Sequence, residues 1–173
     1  MTFLVRHPDT PPGGIEAIDA RLERVSGGVV ATFIVRGELD RLVVSSPADG
    51  GRTDGLWRTT CFELFIDGEG KTYRELNFSP SGAWAAYDFT TYREGMSEAE
   101  ADVLIRTESG DRRLILLADV NVDVPAFANI GLTAVIEETD GVIRYWATSF
   151  APGKPDFHAP AVRSLLLGEV EAE

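Results

Sequence analysis

Two neighbouring tracts hold most of the side chains suited to chemistry. The first runs Leu56-Trp57-Arg58-Thr59-Thr60-Cys61-Phe62-Glu63-Leu64-Phe65-Ile66, and the second Tyr73-Arg74-Glu75-Leu76-Asn77-Phe78-Ser79-Pro80-Ser81-Gly82-Ala83-Trp84-Ala85-Ala86-Tyr87. Successive side chains of a strand point to opposite sheet faces. Cys61, Glu63 and Phe65 therefore share one face, opposite Phe62, Leu64 and Ile66. Tyr73, Glu75 and Asn77 share another, opposite Arg74, Leu76 and Phe78. Matching the apolar faces sets Glu63 near Glu75 and Asn77, flanked by Tyr73 and Phe65. In the next strand Trp84, Ala86 and Asp88 take one side and Ala85, Tyr87 and Phe89 the other; alternation leaves open which side is inward. A face of carboxylates, an amide and aromatics suits a saccharide, whose C–H surfaces stack on rings while its hydroxyls pair with acids and amides. The competing reading is a solvated face with ordinary cross-strand pairs. A carboxylate at Glu63, mid-strand among apolar neighbours, needs a partner. Arg58, Arg74 or Arg93 is expected to supply it as an ion pair.

Other chemistries find less support. The single cysteine, Cys61, excludes an intrachain disulfide framework and reads as a small buried hydrophobe. No Gly-x-Ser-x-Gly elbow, phosphate loop or metal-ligand spacing occurs, so no catalytic set is assigned. Glu63 and Glu75 as a glycosidase acid pair rank below any binding role. Glu137 with Glu138, or Asp119 with Asp123, offers at most part of a structural calcium site, without EF-hand spacing.

Period-two alternation punctuated by turns extends along the chain and positions these residues. Strands are expected over Ile15–Val25, Val29–Val35, Leu39–Ser45, Cys61–Ile66, Tyr73–Phe78, Ala83–Phe89, Ala101–Thr107, Arg113–Val120, Ile130–Glu138, Val142–Phe150 and Ser164–Leu167. A long loop from Ser46 to Gly55 delivers the chain to Trp57. Ser97-Glu98-Ala99-Glu100 has the form of a capping box, enough for one helical turn, and Asp123–Phe127 allows another short turn. The fold class is all-β, an antiparallel sandwich of about eleven strands in two packed sheets. Residues 1–14 read as a leader segment and residues 15–173 as one domain.

With 44% hydrophobic and 25% charged residues, the 173-residue chain has a globular composition. Its formal charge of −12 disfavours nucleic acid and anionic membrane surfaces as partners. The acidic surface suits a soluble monomer or small homo-oligomer. Neither a signal-peptide core nor a run of about 20 apolar residues is present, so the chain as written reads as cytoplasmic.

The segment Leu56–Phe65, a tryptophan, a short polar step and then a strand bearing Glu and an aromatic, resembles the DOMON-like superfamily, which includes family 9 carbohydrate-binding modules. Tyr73–Trp84, Tyr92-Arg93-Glu94-Gly95-Met96 and Lys154-Pro155-Asp156-Phe157-His158 are similar to small bacterial DOMON-like proteins, and the resemblance spans about Ile15 to Leu167. It implies an immunoglobulin-like or jelly-roll sandwich acting as a non-catalytic module for a small-molecule or oligosaccharide ligand. By that resemblance Trp57, Glu63, Asn77 and Trp84 would contact sugar, with Tyr73, Tyr92 and Arg93 at the rim. The superfamily's other ligand, b-type haem, would need Met96 and His158 as axial ligands, since His7 falls in the leader. A protein-interaction domain without a small ligand is the third possibility, and it would expose an apolar patch.

Overall fold

Alternating apolar and polar residues form strands here almost from the first residue. In chain order they are β1 (Thr2–Phe3), β2 (Val5–Arg6), β3 (Ile15–Val25), β4 (Gly28–Gly37), β5 (Cys61–Asp67), β6 (Tyr73–Phe78), β7 (Trp84–Phe89), β8 (Ser97–Glu98), β9 (Asp102–Ser109), β10 (Arg113–Asn121), β11 (Ala128–Glu137), β12 (Ile143–Ala147) and β13 (Leu165–Leu167). The computed structural model describes residues 1–46 and 50–168; residues 47–49 of the expected Ser46–Gly55 loop and the last five residues lie outside the described residues. All strand pairings are antiparallel and fall into two sheets. One has the order β1-β3-β4-β10-β9; the other runs β2-β12-β11-β5-β6-β7-β8, with β13 also on β11.

The sheets pack face to face as a sandwich. Ile18, Phe33 and Leu116 of the first sheet and Phe62, Leu64, Phe78 and Leu132 of the second are all but inaccessible to solvent. Phe33 and Phe62 meet across the interface with ring centroids 5.0 Å apart. Burying one such side chain contributes roughly 1.5–3 kcal/mol, so this layer dominates the stability of the fold. The inward face of β5 is the one its alternation indicates: Phe62, Leu64 and Ile66.

The structure departs from the expected elements in three places. Leu39–Ser45 is not a strand: Leu39–Arg41 forms a 3-10 turn, and only an isolated bridge joins Leu42 to Glu138. The neighbour positions of β4 are already taken by β3 and β10, so the segment turns away toward the second sheet. Ser97-Glu98 is a strand rather than a helical turn, because it pairs with the otherwise open edge of β7 and tertiary pairing outweighs local capping. The opening residues are not a free leader. β1 pairs with β3, β2 pairs with β12, and Leu4 between them enters the core. Asp123–Phe127 contains bends and no helix.

A buried ionic cluster fastens the chain after β2. Glu138 is fully buried; its Oε2 lies 2.7 Å from Arg144 and its Oε1 accepts the Gly14 amide at 2.7 Å. Arg144 also donates to the carbonyls of Pro11 and Pro12, at 2.8 and 3.0 Å, and to Asp140. Arg41 adds a second guanidinium 3.4 Å from Glu138. Removing one member strands the others without water. Glu138→Ala is therefore expected to lower unfolding free energy by about 3–5 kcal/mol in urea titration, far more than loss of an exposed pair such as Arg21–Glu23.

Candidate functional site

The second sheet is buried on both faces. Its outer face carries Cys61, Phe65, Tyr73, Tyr87, Val135 and Ala147, covered by the segment that bears Phe157, Ala159 and Val162. Gly131 permits that cover: a Cβ there would lie 2.7 Å from the Val162 carbonyl oxygen.

Strand register builds the floor of a cavity on this face. Glu63 of β5 stands opposite Asn77 of β6 and Thr133 of β11, and Asn77 stands opposite Ala85 of β7. One step along, Phe65 faces Glu75, which in turn faces Tyr87. Ala85 and Ala147, next to this row, are too short to cover the acids. The walls come from irregular segments. Trp57, on the 3-10 turn Leu56–Arg58, sets its ring edge against Tyr87, centroids 6.0 Å apart. Phe157 packs edge-on against Tyr145 at 5.7 Å and stacks with Phe150 at 6.1 Å. The loop between β7 and β8 contributes Arg93 and Met96. Together these groups, with Phe89, Val135 and His158, line a half-open cleft of about 390 Å³ that Glu63 and Glu75 also line.

The acids are nearly shut off from bulk water, at 2% exposure for Glu63 and 5% for Glu75. Glu63 Oε2 accepts one hydrogen bond, from Thr133 Oγ1 at 3.1 Å. Burial pushes the Glu63 carboxyl well above the usual carboxylate range, and the neighbouring Glu75 charge pushes it further. Burial also raises Glu75, to about 7, while Asn77 and Arg93 pull it the other way. The Asn77 amide lies near Glu75 but reaches no hydrogen bond of good geometry, and both of its side-chain polar atoms are buried. Two carboxyls raised in this way favour their protonated forms more than solvated ones do. Cys61, beneath them, is raised by its own burial and by both acids, so it stays a thiol.

His158 ties the wall to the floor. Its Nδ1 lies 2.7 Å from the Tyr73 hydroxyl and its Nε2 3.5 Å from Glu75 Oε2, with the ring edge-on to Phe65 and Phe89. Burial and the Arg93 charge hold its pKa down to about 4, so the imidazole is neutral. Tyr73 stacks on Phe89, centroids 4.8 Å apart, and its oxygen accepts the Arg93 amide at 3.1 Å. Arg93 itself adopts φ +54°, uncommon for a residue other than glycine. That conformation aims its amide at Tyr73 and lets its guanidinium reach Asp156 at 2.8 Å.

Of the residues expected at the site, Trp57, Glu63 and Arg93 line the cavity. Asn77 and Tyr73 lie on the same face but fully within the floor. Tyr92 sits outside, its hydroxyl on Asp156, as part of the clasp that holds the rim. Trp84 is not brought to the site: it stands opposite Phe78 on the inward face, with the Arg52 guanidinium 4.6 Å from its ring. The arginine expected beside Glu63 is also not there. Arg74 pairs with Asp88 at 2.7 Å and Arg93 with Asp156. Met96 and His158 both line the cavity, but the haem expectation fits poorly: His158 Nδ1 is held by Tyr73, Nε2 lies against Glu75, and two buried acids face the space an apolar macrocycle would fill. Among the described residues no three acidic, histidine or cysteine side chains gather to hold a metal; Glu138 turns to arginines, and Asp119 is exposed. Nor is any helix among them long and apolar enough to cross a membrane.

Several lining residues were not among the expected contacts. Glu75 was placed on this face but not assigned to the ligand, and Phe89 carried a signal, since it alternates in phase with Tyr87. Tyr145 and Phe157 carried none, because only the folded C-terminal cover brings Phe157 over Tyr145.

No protein-family model and no curated protein matches the chain. Its fold is similar to a solved protein from Bacteroides uniformis, provisionally described as carbohydrate-binding. The two superpose with a TM-score of 0.67 at 12% identity, covering 93% of this chain and 81% of the other. At that identity the likeness establishes the shared sandwich.

The raised Glu75 sets a pH dependence of stability. An acid whose folded pKa exceeds its unfolded value of 4.5 stabilises the fold while protonated, and that contribution is lost as pH rises through about 7. His158 works in the opposite sense, since stability falls as pH drops from 6.5 toward 4. Glu75→Gln is therefore expected to gain roughly 2–3 kcal/mol over the parent at about pH 8 and little at about pH 5. Chemical denaturation of both proteins at the two pH values measures the difference.

Proposed function

We propose that this chain is a non-catalytic binding module, DOMON-like in kind, that holds a saccharide or a similar small polar ligand in the cavity above Glu63 and Glu75. One observation carries the reading: two buried carboxylates face a half-open cleft lined by Trp57, Phe89, Tyr145 and Phe157. A pyranose has two kinds of surface to satisfy. Its C–H faces gain from aromatic contact, and its hydroxyls need acceptors strong enough to replace water. A carboxylate accepting from a hydroxyl forms the stronger, charge-assisted bond. The residues are preorganised, since Tyr73, His158 and Asp156 fix the rim before any ligand arrives. The shared sandwich with the Bacteroides uniformis protein is compatible with this role.

Catalysis is not part of the proposal. Glycosidic cleavage places its two carboxyl groups on either side of the scissile bond. Glu63 and Glu75 instead rise from adjacent strands of one floor, both burdened by the same desolvation.

Binding by a panel of mono- and oligosaccharides, followed by glycan array and calorimetry, tests the reading. Trp57→Ala is expected to weaken the best ligand by about tenfold, in line with loss of one aromatic contact. Trp84→Phe is expected to leave affinity unchanged, because that ring belongs to the inward face. Equal loss in both variants, or no saccharide bound at millimolar concentration, would count decisively against the cavity as a sugar site.

A further inference from the structure

Four carboxylates are buried among the described residues: Asp19, Glu63, Glu75 and Glu138. Two have arginines. Asp19 is paired with Arg36, and Glu138 lies between Arg144 and Arg41. Glu63 and Glu75 have no such partner. The basic nitrogen nearest to them is His158 Nε2, 3.5 Å from Glu75, and that imidazole is neutral. Arg93 reaches the cavity but commits its guanidinium to Asp156 at 2.8 Å. In the same row Asn77, fully buried, leaves both amide atoms without a protein partner. Buried charge is ordinarily matched by opposite charge or by a full set of hydrogen bonds. Here the unmatched side of both acids is the cavity.

We infer that the ligand carries a protonated amine, so that, on the saccharide reading this rests upon, it is an amino sugar. The ammonium sits between Glu63 and Glu75 and donates to their free oxygens. Trp57, Tyr145 and Phe157 line the same cavity, and aromatic rings attract a cation. A neutral sugar hydroxyl in the same place leaves the acids holding their own proton. An ammonium supplies the missing charge, and that proton departs to solvent as it enters. The one protein cation that lines the cavity, Arg93, has its charge offset by Asp156, and His158 is neutral.

Calorimetric titration of the full chain at about pH 7, where a primary amine on carbon is largely protonated, decides the matter with four probes: glucosamine, glucose, N-acetylglucosamine and cyclohexylamine. Glucosamine is expected to bind at least about tenfold more tightly than glucose or N-acetylglucosamine, since only it forms the doubly charged hydrogen bonds. Glu75→Gln is expected to shrink that preference. Glucose or N-acetylglucosamine binding as tightly as glucosamine overturns the inference and leaves the saccharide reading intact. Cyclohexylamine binding as tightly as glucosamine, with glucose silent, supports the amine and removes the sugar. Silence from all four probes overturns the inference, and the saccharide reading then stands or falls on the oligosaccharide panel.

Discussion

The second sheet must bury both of its faces, and much of the molecule follows from that requirement. An antiparallel sheet in a sandwich commonly leaves its outer face to water. Here β5 is buried along nearly its whole length on both sides, as is β6 apart from Arg74. The inward side meets the partner sheet. The outer side has no second sheet, so the segment after β12, the Trp57 turn and the loop before β8 cover it piecemeal. Irregular segments do not tile a sheet as evenly as strands do. The space they leave is lined by the two acids of the floor, Glu63 and Glu75.

That arrangement makes the site expensive to the fold. Glu63 and Glu75 are desolvated with one hydroxyl between them as hydrogen-bonding support, and Asn77 lies buried with nothing to bond. A sequence selected only for stability would fill these positions with apolar residues, as it does at Val135 and Phe65 on the same face. Strain of this sort concentrates where a protein does something with it. The surroundings absorb it through rigidity. The Tyr73–Phe89 stack, the His158 contacts and the Arg93–Asp156 pair bind three separate chain segments into one rim.

Strand alternation was enough to foresee the floor but not the walls. Glu63, Asn77 and Glu75 share a face because period two is geometric and a slip of one residue would turn Phe62 and Leu64 outward. The hairpins through Asp67–Thr72 and Ser79–Ala83 were equally legible from their turn residues. Trp84 was ambiguous because both of its possible faces are apolar, so hydrophobicity could not orient β7; pairing with Phe78 does. Leu39–Ser45 misled for a related reason. Its residues favour a strand, but whether an edge is free to receive them is a property of the whole sheet. The pairing of β1 and β2 with different sheets likewise rests on long-range contacts that no local pattern encodes.

The contrast between Glu138 and the Glu63–Glu75 pair separates structural burial of charge from functional burial. Both sit at mid-sheet or strand-end positions with almost no exposure. Around Glu138 the charge is matched: a guanidinium on each side, a backbone amide from Gly14, and proline carbonyls to satisfy Arg144 in turn. Such a cluster has nothing left to offer a ligand, and its consequence is to fasten the opening residues to the sandwich. Around Glu63 and Glu75 the protein supplies far fewer partners and leaves open space where the others would be. The same side chain, buried to a similar degree, thus acts as a rivet where opposite charge completes it and, on the proposed reading, as a receptor where that charge is missing. Completeness of the surroundings distinguishes the two, rather than burial or charge.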